Sequence, residues 1–285
     1  MLLVIDAGNS SISLGLFETP DVGAPDGNTP GGRPTLLWTV KIAADPQRSA
    51  DEYRLTLGLL LRDGGYSPAA DVDAVALGSV VPALTHTLRE ALGRLCRRSD
   101  GTPVPLRTVS AGTRTGLVLQ VDDPAQLGAD IVTGAAAAVW LYGTPVAVLD
   151  FGTATVLSCV DANRTLLGVS IAPGMQTSLD GLRGAAALIP HVELRAPESV
   201  LGRNTADSVR AGVVYGTAAM ADGLVERTLR EAHLPPDTPV VATGGLAGLI
   251  LPFCRRRMHR EDALTLYGLY RVFALTARRE ALRKK

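Results

Sequence analysis

The chain has 285 residues, 46% hydrophobic and 20% charged, with a formal net charge of zero. That is enough apolar material for one or two cores, and the charge balance gives no electrostatic basis for binding nucleic acid or an anionic membrane. No apolar run reaches the ~20 residues of a membrane-spanning helix. No basic stretch precedes an apolar one at the start, so no signal peptide is expected and the expected location is cytoplasmic. The three cysteines, Cys96, Cys159 and Cys254, match no zinc spacing and no disulfide framework; buried, reduced thiols are expected.

In chain order, Leu2-Leu3-Val4-Ile5 runs into Asp6 and then Ala7-Gly8-Asn9-Ser10. Four apolar residues suit a strand buried on both faces, and Gly8 suits a turn where the backbone approaches something closely. Residues 10–17 alternate polar and apolar, which predicts a returning antiparallel strand. Residues 19–34, rich in Pro, Gly and Asp, read as an exposed loop. A strand follows over 36–42. A helix over 49–61 groups Tyr53, Leu57, Leu60 and Leu61 on one face, with Asp51 and Glu52 at its positive end. Then come a strand and turn over 73–82, a helix over 85–97, a short strand over 104–109, and a helix from about Asp130. The alanines at 135–138 in that helix suit close packing.

The opening phrase then recurs. Val146-Ala147-Val148-Leu149-Asp150-Phe151-Gly152-Thr153-Ala154-Thr155 repeats the apolar strand, the Asp, the Gly two residues on and the hydroxyl residues, about halfway along the chain. A returning strand (156–160), helices near 178–182 and over 205–232, a strand at 239–242 and a terminal helix from 264 complete the second half. Such a recurrence predicts duplication into two similar α/β domains, 1–125 and 126–285, with an interdomain cleft. Paired turns offering backbone N–H groups and hydroxyls can clamp a polyphosphate, and the two aspartates can hold cations that neutralise it. Three of the 28 basic residues are lysine and no G-x-x-x-x-G-K-[ST] occurs, so a Walker-type site is excluded. The basic runs at 255–257 and 278–285 read as solvated surface.

The paired strand–Asp–Gly turns resemble those of the actin, sugar-kinase and heat-shock-chaperone ATPase superfamily. Within it the chain resembles the type III pantothenate kinases. The resemblance rests on Asp6-Ala7-Gly8-Asn9-Ser10, Asp51-Glu52-Tyr53, Ser79-Val80-Val81-Pro82, Gly128-Ala129-Asp130, Asp150-Phe151-Gly152-Thr153-Ala154-Thr155, Pro173-Gly174, Gly202-Arg203-Asn204-Thr205 and Thr243-Gly244-Gly245, in that order.

The resemblance implies two duplicated ribonuclease-H-like domains and ATP-dependent phosphorylation of pantothenate, the first step toward coenzyme A. It implies nucleotide contacts along Asp6, Ala7, Gly8, Asn9, Ser10, Ser11, Ile12 and Ser13 and at Thr153, with Mg²⁺ at Asp6. Asp150 takes the position of a monovalent cation ligand, for K⁺ or NH₄⁺, and Gly244 and Gly245 that of an adenine platform. Asp130 takes that of the catalytic base. Thr205 takes that of a substrate contact supplied by a partner subunit, which implies a homodimer with shared sites. Without the resemblance, Asp130 reads first as a helix N-cap, and an N-cap is the alternative reading of Thr205.

The acceptor pocket implied at Val121, Gly128, Ala129, Asp130 and Ile131 departs from the family at two places. Val121 stands where the family carries a tyrosine, and Ile131 where it carries an arginine suited to a carboxylate. Arg183 and Arg203 are candidates to replace that charge. Val156 and Ser158 also depart from a family threonine and aspartate. These changes keep two alternatives in view: a kinase for another small alcohol, and a regulatory, binding-only relative of the family.

Overall fold

Each strand–Asp–Gly phrase opens a sheet. The computed structural model describes residues 1–20, 32–110 and 112–283; most of the 19–34 loop, and Lys284 and Lys285, lie outside these. The elements in order are β1 (Leu2–Ala7), β2 (Ser11–Phe17), β3 (Leu36–Ala43), α1 (Ala50–Asp63), β4 (Ala74–Ser79), α2 (Pro82–Leu95), β5 (Leu106–Val109), β6 (Val118–Leu119), α3 (Ala129–Tyr142), β7 (Val146–Phe151), β8 (Ala154–Val160), β9 (Thr165–Pro173), α4 (Met175–Ala185), α5 (Thr205–Glu231), β10 (Val240–Thr243), α6 (Ala247–Ile250), β11 (His259–Arg260) and α7 (Leu264–Arg283).

Packing divides the chain into two compact units. One comprises Met1–Leu117, Asp122–Leu141 and Leu264–Lys285; the other comprises Val118–Val121 and Tyr142–Ala263. The first holds a sheet in the order β3-β2-β1-β4-β5, and the second one in the order β11-β10-β7-β8-β9-β6. Read from its other edge, the second sheet repeats the first, with β6 added beside β9. Strand directions agree as well: β1 is antiparallel to β2 and parallel to β4, and β7 is antiparallel to β8 and parallel to β10. Burial along β1 matches that along β7, and β2 matches β8, residue for residue. This is the duplicated ribonuclease-H-like α/β architecture that the repeat predicts.

In the first unit Leu2, Leu3, Val4 and Ile5 are wholly buried. Each contributes roughly 1.5–3 kcal/mol of burial, so β1 is anchored along its length and its end is fixed in space. α1 carries a capping box: the Ser49 hydroxyl accepts from Glu52 N–H, and the Glu52 carboxylate accepts from Ser49 N–H at 2.7 Å. Tyr53, buried, donates to the Asp45 carbonyl at 2.9 Å and accepts from its N–H at 3.0 Å. The Asp51-Glu52-Tyr53 segment therefore sets where the helix starts and what holds it.

α3 and α7 both follow residue 125 in sequence, yet they pack within the first unit, unlike the linear division at 125. Glycines account for this. A Cβ at Gly78 on β4 would lie 2.7 Å from Leu269 Cδ2 on α7, and one at Gly268 on α7 would overlap the Thr133 carbonyl on α3. With neither Cβ present, α7 lies directly on the sheet and α3 directly on α7. The alanines 135–138 are buried as expected. The cysteines are free thiols, with Cys96 pushed up to about 12 and Cys159 and Cys254 to about 11, chiefly by burial; such thiols are inert near neutral pH. The basic run at 255–257 is not only solvated surface, because Arg256 donates to the Pro236 and Thr238 carbonyls at 2.7 and 2.9 Å. Among the described residues no helix is long and apolar enough to cross a membrane.

Candidate active site

In the first unit the turn after β1 is closed by Gly8 N–H donating to the Ser11 carbonyl at 2.9 Å. Asp6 pairs with Ser13 across β2 and with Gly78 across β4. One carboxylate oxygen of Asp6 accepts from the Thr265 hydroxyl at 2.9 Å. Asn9 and Ser10 are exposed, whereas Ala7 and Ile12 are wholly buried. The side chains of Ala7 and Ile12 therefore belong to the core, and these two residues can meet a ligand only through backbone.

The turn does not itself demand glycine at position 8. Gly8 has no positive φ, and an added Cβ would meet only the Ser11 carbonyl oxygen, at 3.4 Å. The second unit repeats the arrangement. Gly152 N–H donates to the Ala154 carbonyl at 3.0 Å, and a Cβ on Gly152 would make ordinary contacts at 3.5 Å with Asp150 Oδ1 and 3.7 Å with the Ala154 carbonyl oxygen. Thr153 is exposed, and its carbonyl is held by Gly174 N–H at 3.1 Å and the Thr177 hydroxyl at 2.7 Å.

Two other glycines in this unit are sterically required. A Cβ at Gly174 would lie 2.5 Å from the Thr153 carbonyl oxygen, and one at Gly244 would overlap Asp150 Oδ1 and lie 2.6 Å from Phe151 backbone atoms. Gly244 also has φ +93°, a conformation that costs a side chain about 1–2 kcal/mol. A side chain at 244 would thus press on Asp150, and one at 174 on the Gly152–Thr153 turn beside it. Sequence reading missed Thr177 and Thr265, whose partners lie 24 and 259 residues away; no local pattern encodes such contacts.

Asp130 is not an N-cap. It is the second residue of α3, and its Oδ1 accepts from Ile131 N–H at 2.8 Å. Burial pushes its carboxyl above the usual carboxylate range, with the Ile131 N–H acting in opposition. Gly128 makes room for it, since a Cβ there would overlap Asp130 Oδ1 and lie 3.3 Å from Val80 Cγ1. Val80 N–H in turn donates to the Ala7 carbonyl at 3.1 Å. Through Val80 the first unit gathers the end of β1, the end of β4 and the start of α3 in one place. Asp130 is thus a half-buried carboxylate with raised proton affinity beside that junction.

Thr205 is likewise not the cap: Asn204 is, accepting from Asp207 N–H at 2.9 Å. Thr205 is the first helical residue of α5 and is exposed. Gly202 is required here, because a Cβ would overlap Ser208 N. Val121 lies in the second unit and Gly128–Ile131 in the first. Arg183 lies in the last turn of α4 and Arg203 precedes α5, both exposed in the second unit.

A family model of type III pantothenate kinases matches residues 2–227. The chain belongs to the type III pantothenate kinase family. Curated type III pantothenate kinases of Streptomyces avermitilis and Saccharopolyspora erythraea are 39% and 40% identical to it, over 96% of this chain and 97% and 98% of theirs. That of Shouchella clausii is 38% identical at the same coverage of this chain. Among solved structures, a Campylobacter jejuni protein described as a Baf-family transcriptional activator aligns over 96% of this chain and 98% of its own, with TM-score 0.55 and 13% identity; at that identity it shows the fold alone.

Proposed function

We propose that this chain transfers the γ-phosphoryl group of ATP to pantothenate, giving 4′-phosphopantothenate for coenzyme A synthesis, with Asp130 as the catalytic base. The observation that carries the reading is Asp130 itself: a carboxylate at the start of α3, its proton affinity raised by burial, with Gly128 clearing space around it. Its task is to accept the proton of the acceptor's primary hydroxyl as that oxygen bonds to the γ-phosphorus and the bond to ADP breaks. The turns at Gly8 to Ser13 and at Gly152 to Thr153 each have the small and hydroxyl residues suited to phosphate contacts.

Asp6 and Asp150 suit cations that complete their coordination with phosphate and water, Mg²⁺ at Asp6 and K⁺ or NH₄⁺ at Asp150. Bound there, they supply the positive charge that lysine supplies in other kinases. Purified protein with ATP, Mg²⁺ and K⁺, screened against small alcohols for ADP release, tests the reading. Turnover with pantothenate above every other acceptor supports it, and turnover with none, or with another alcohol alone, refutes it.

The cation assignment has its own test. Replacing K⁺ by Na⁺ should lower the rate at least about tenfold, an effect of roughly 1.4 kcal/mol, and Asp150→Asn should abolish the difference between the two ions. Equal rates of the wild type in both buffers would remove Asp150 from this role.

A homodimer is part of the proposal, in a cytoplasmic setting. Residues 186–204, ahead of Thr205, form no helix or strand, and they expose Leu188 (92%), Val200 (60%) and Leu201 (80%). Such apolar exposure beside a polar candidate contact suits coverage by a second copy. Mixing Asp130→Asn with Thr205→Ala subunits should then regain activity that neither has alone, since one hybrid site holds both native residues. Proven subunit exchange with no recovery would rule out a shared site.

A further inference from the structure

The first unit contains a recess of about 790 Å³ at the C-terminal ends of β4 and β5, bordered by the starts of both α2 and α3. Gly128 and Ala129, the two residues before Asp130, form part of its wall. Arg89 is the one residue of fixed charge in its lining, joined by His86 and the hydroxyls of Thr85, Thr108 and Ser110; no carboxylate lines it. Arg89 donates to the Thr108 hydroxyl at 3.1 Å, a contact that keeps the guanidinium beside the recess. Among the described residues it makes no ion pair, whereas the next residue, Glu90, is paired with Arg94 at 2.6 Å.

The helix ends add to this polarity. α2 begins at Pro82 with no side-chain N-cap and no acidic residue in its first turn. Its positive end therefore borders the recess without an acidic side chain of its own; the start of α3 borders it from another side but carries Asp130 in its first turn. A volume near 790 Å³ is in the range of small-molecule sites. The remaining wall, including Val80, Pro82 and Leu127, is apolar. A guanidinium, the start of α2 and apolar walls fit a small molecule with one anionic end and an aliphatic body.

We infer that this recess seats the acceptor, with Arg89 as the counter-ion of its carboxylate. The inference rests on the proposed reaction and deepens it by naming the residue that recognises the acid end. It also offers a cation on the same unit as Asp130, which neither Arg183 nor Arg203 does. Arg89 acts on binding and not on phosphoryl transfer, because its contact is made equally before and during the reaction.

Steady-state kinetics of wild type and Arg89→Gln test this with two acceptors: pantothenate, and its neutral analogue in which a hydroxymethyl group replaces the carboxylate. Arg89 is exposed, so the substitution leaves the core untouched. The expected result is a KM for pantothenate raised about tenfold or more, kcat nearly unchanged, and KM for the neutral analogue unchanged. An equal effect on both acceptors, or on neither, overturns the assignment. If Arg89→Gln instead relieves inhibition by inorganic phosphate while leaving both KM values as they were, the recess takes a free anion and the inference is also overturned. Wild-type protein that turns over neither acceptor refutes the proposed reaction, and this inference falls with it. Normal turnover with an unaltered variant refutes the inference alone.

Discussion

Asp130→Asn should lower kcat by roughly 10²–10⁴-fold, the range for loss of a general base, without loss of stability at neutral pH. The second half follows from the direction of the pKa shift. Burial raises the Asp130 carboxyl above its ordinary value, so the folded protein holds this proton to a higher pH than the unfolded chain does. The corresponding stability is complete below the unfolded value and is lost as pH rises through the folded value. Above the folded value the ionised carboxylate is therefore a cost, which asparagine removes. The variant's Tm at pH 7 should equal or exceed that of wild type. The acid limb of the wild-type kcat/KM profile should lie above the ordinary range for aspartate and vanish in the variant. Near-normal turnover would leave Asp130 with no role beyond its place in the first turn of α3.

Gly8→Ala and Gly152→Ala should keep the fold but raise KM for ATP by at least about tenfold, roughly 1.4 kcal/mol. Neither glycine has a positive φ, and in each case the nearest atoms to an added Cβ are 3.4 Å away or more. The protein alone thus gives no reason for glycine at these two positions. A ligand pressed against the turn backbone does, because a methyl group would stand where phosphate oxygens approach. Gly244→Ala is the contrasting case. It combines a left-handed backbone with overlap onto Asp150 and Phe151, and should cost about 2–4 kcal/mol of stability. Denaturant midpoints together with ATP titrations separate the two classes. If Gly8→Ala and Gly152→Ala bind ATP as wild type does, the turns are not phosphate cradles.

The duplicated plan was legible because it is written locally. The strand, Asp and Gly at 2–8 recur at 146–152, and both copies bury the same positions in the same register. α1 was legible through the face of Tyr53, Leu57 and Leu61, with Asp51 and Glu52 in its first turn; Leu60, read onto the same face, is only half-buried, and the Ser49–Glu52 box was not read. β9 was not: it is mostly half-exposed, with Gly168 at φ +154° and a register shift against β8, so its alternation is weak. Nor was the packing of α3 and α7 with the first sheet, which depends on the absent side chains of Gly78 and Gly268 and on contacts more than a hundred residues apart. In the candidate site, Asp6, Asp130 and Asp150 were marked by motif. Thr265, Thr177 and Arg89 carry no motif, and only the fold brings them to the turns or the recess. The N-cap readings failed by two residues for Asp130, since α3 begins at Ala129, and by one for Thr205, since Asn204 caps α5.

The most direct test of the account is a mass-spectrometric assay for 4′-phosphopantothenate after purified protein is incubated with pantothenate, ATP, Mg²⁺ and K⁺, with Asp130→Asn alongside. The account predicts product in amounts equal to the ADP formed by wild type, and at least about a hundredfold less from the variant. ADP formation without phosphorylated pantothenate, or equal product from both proteins, would contradict it.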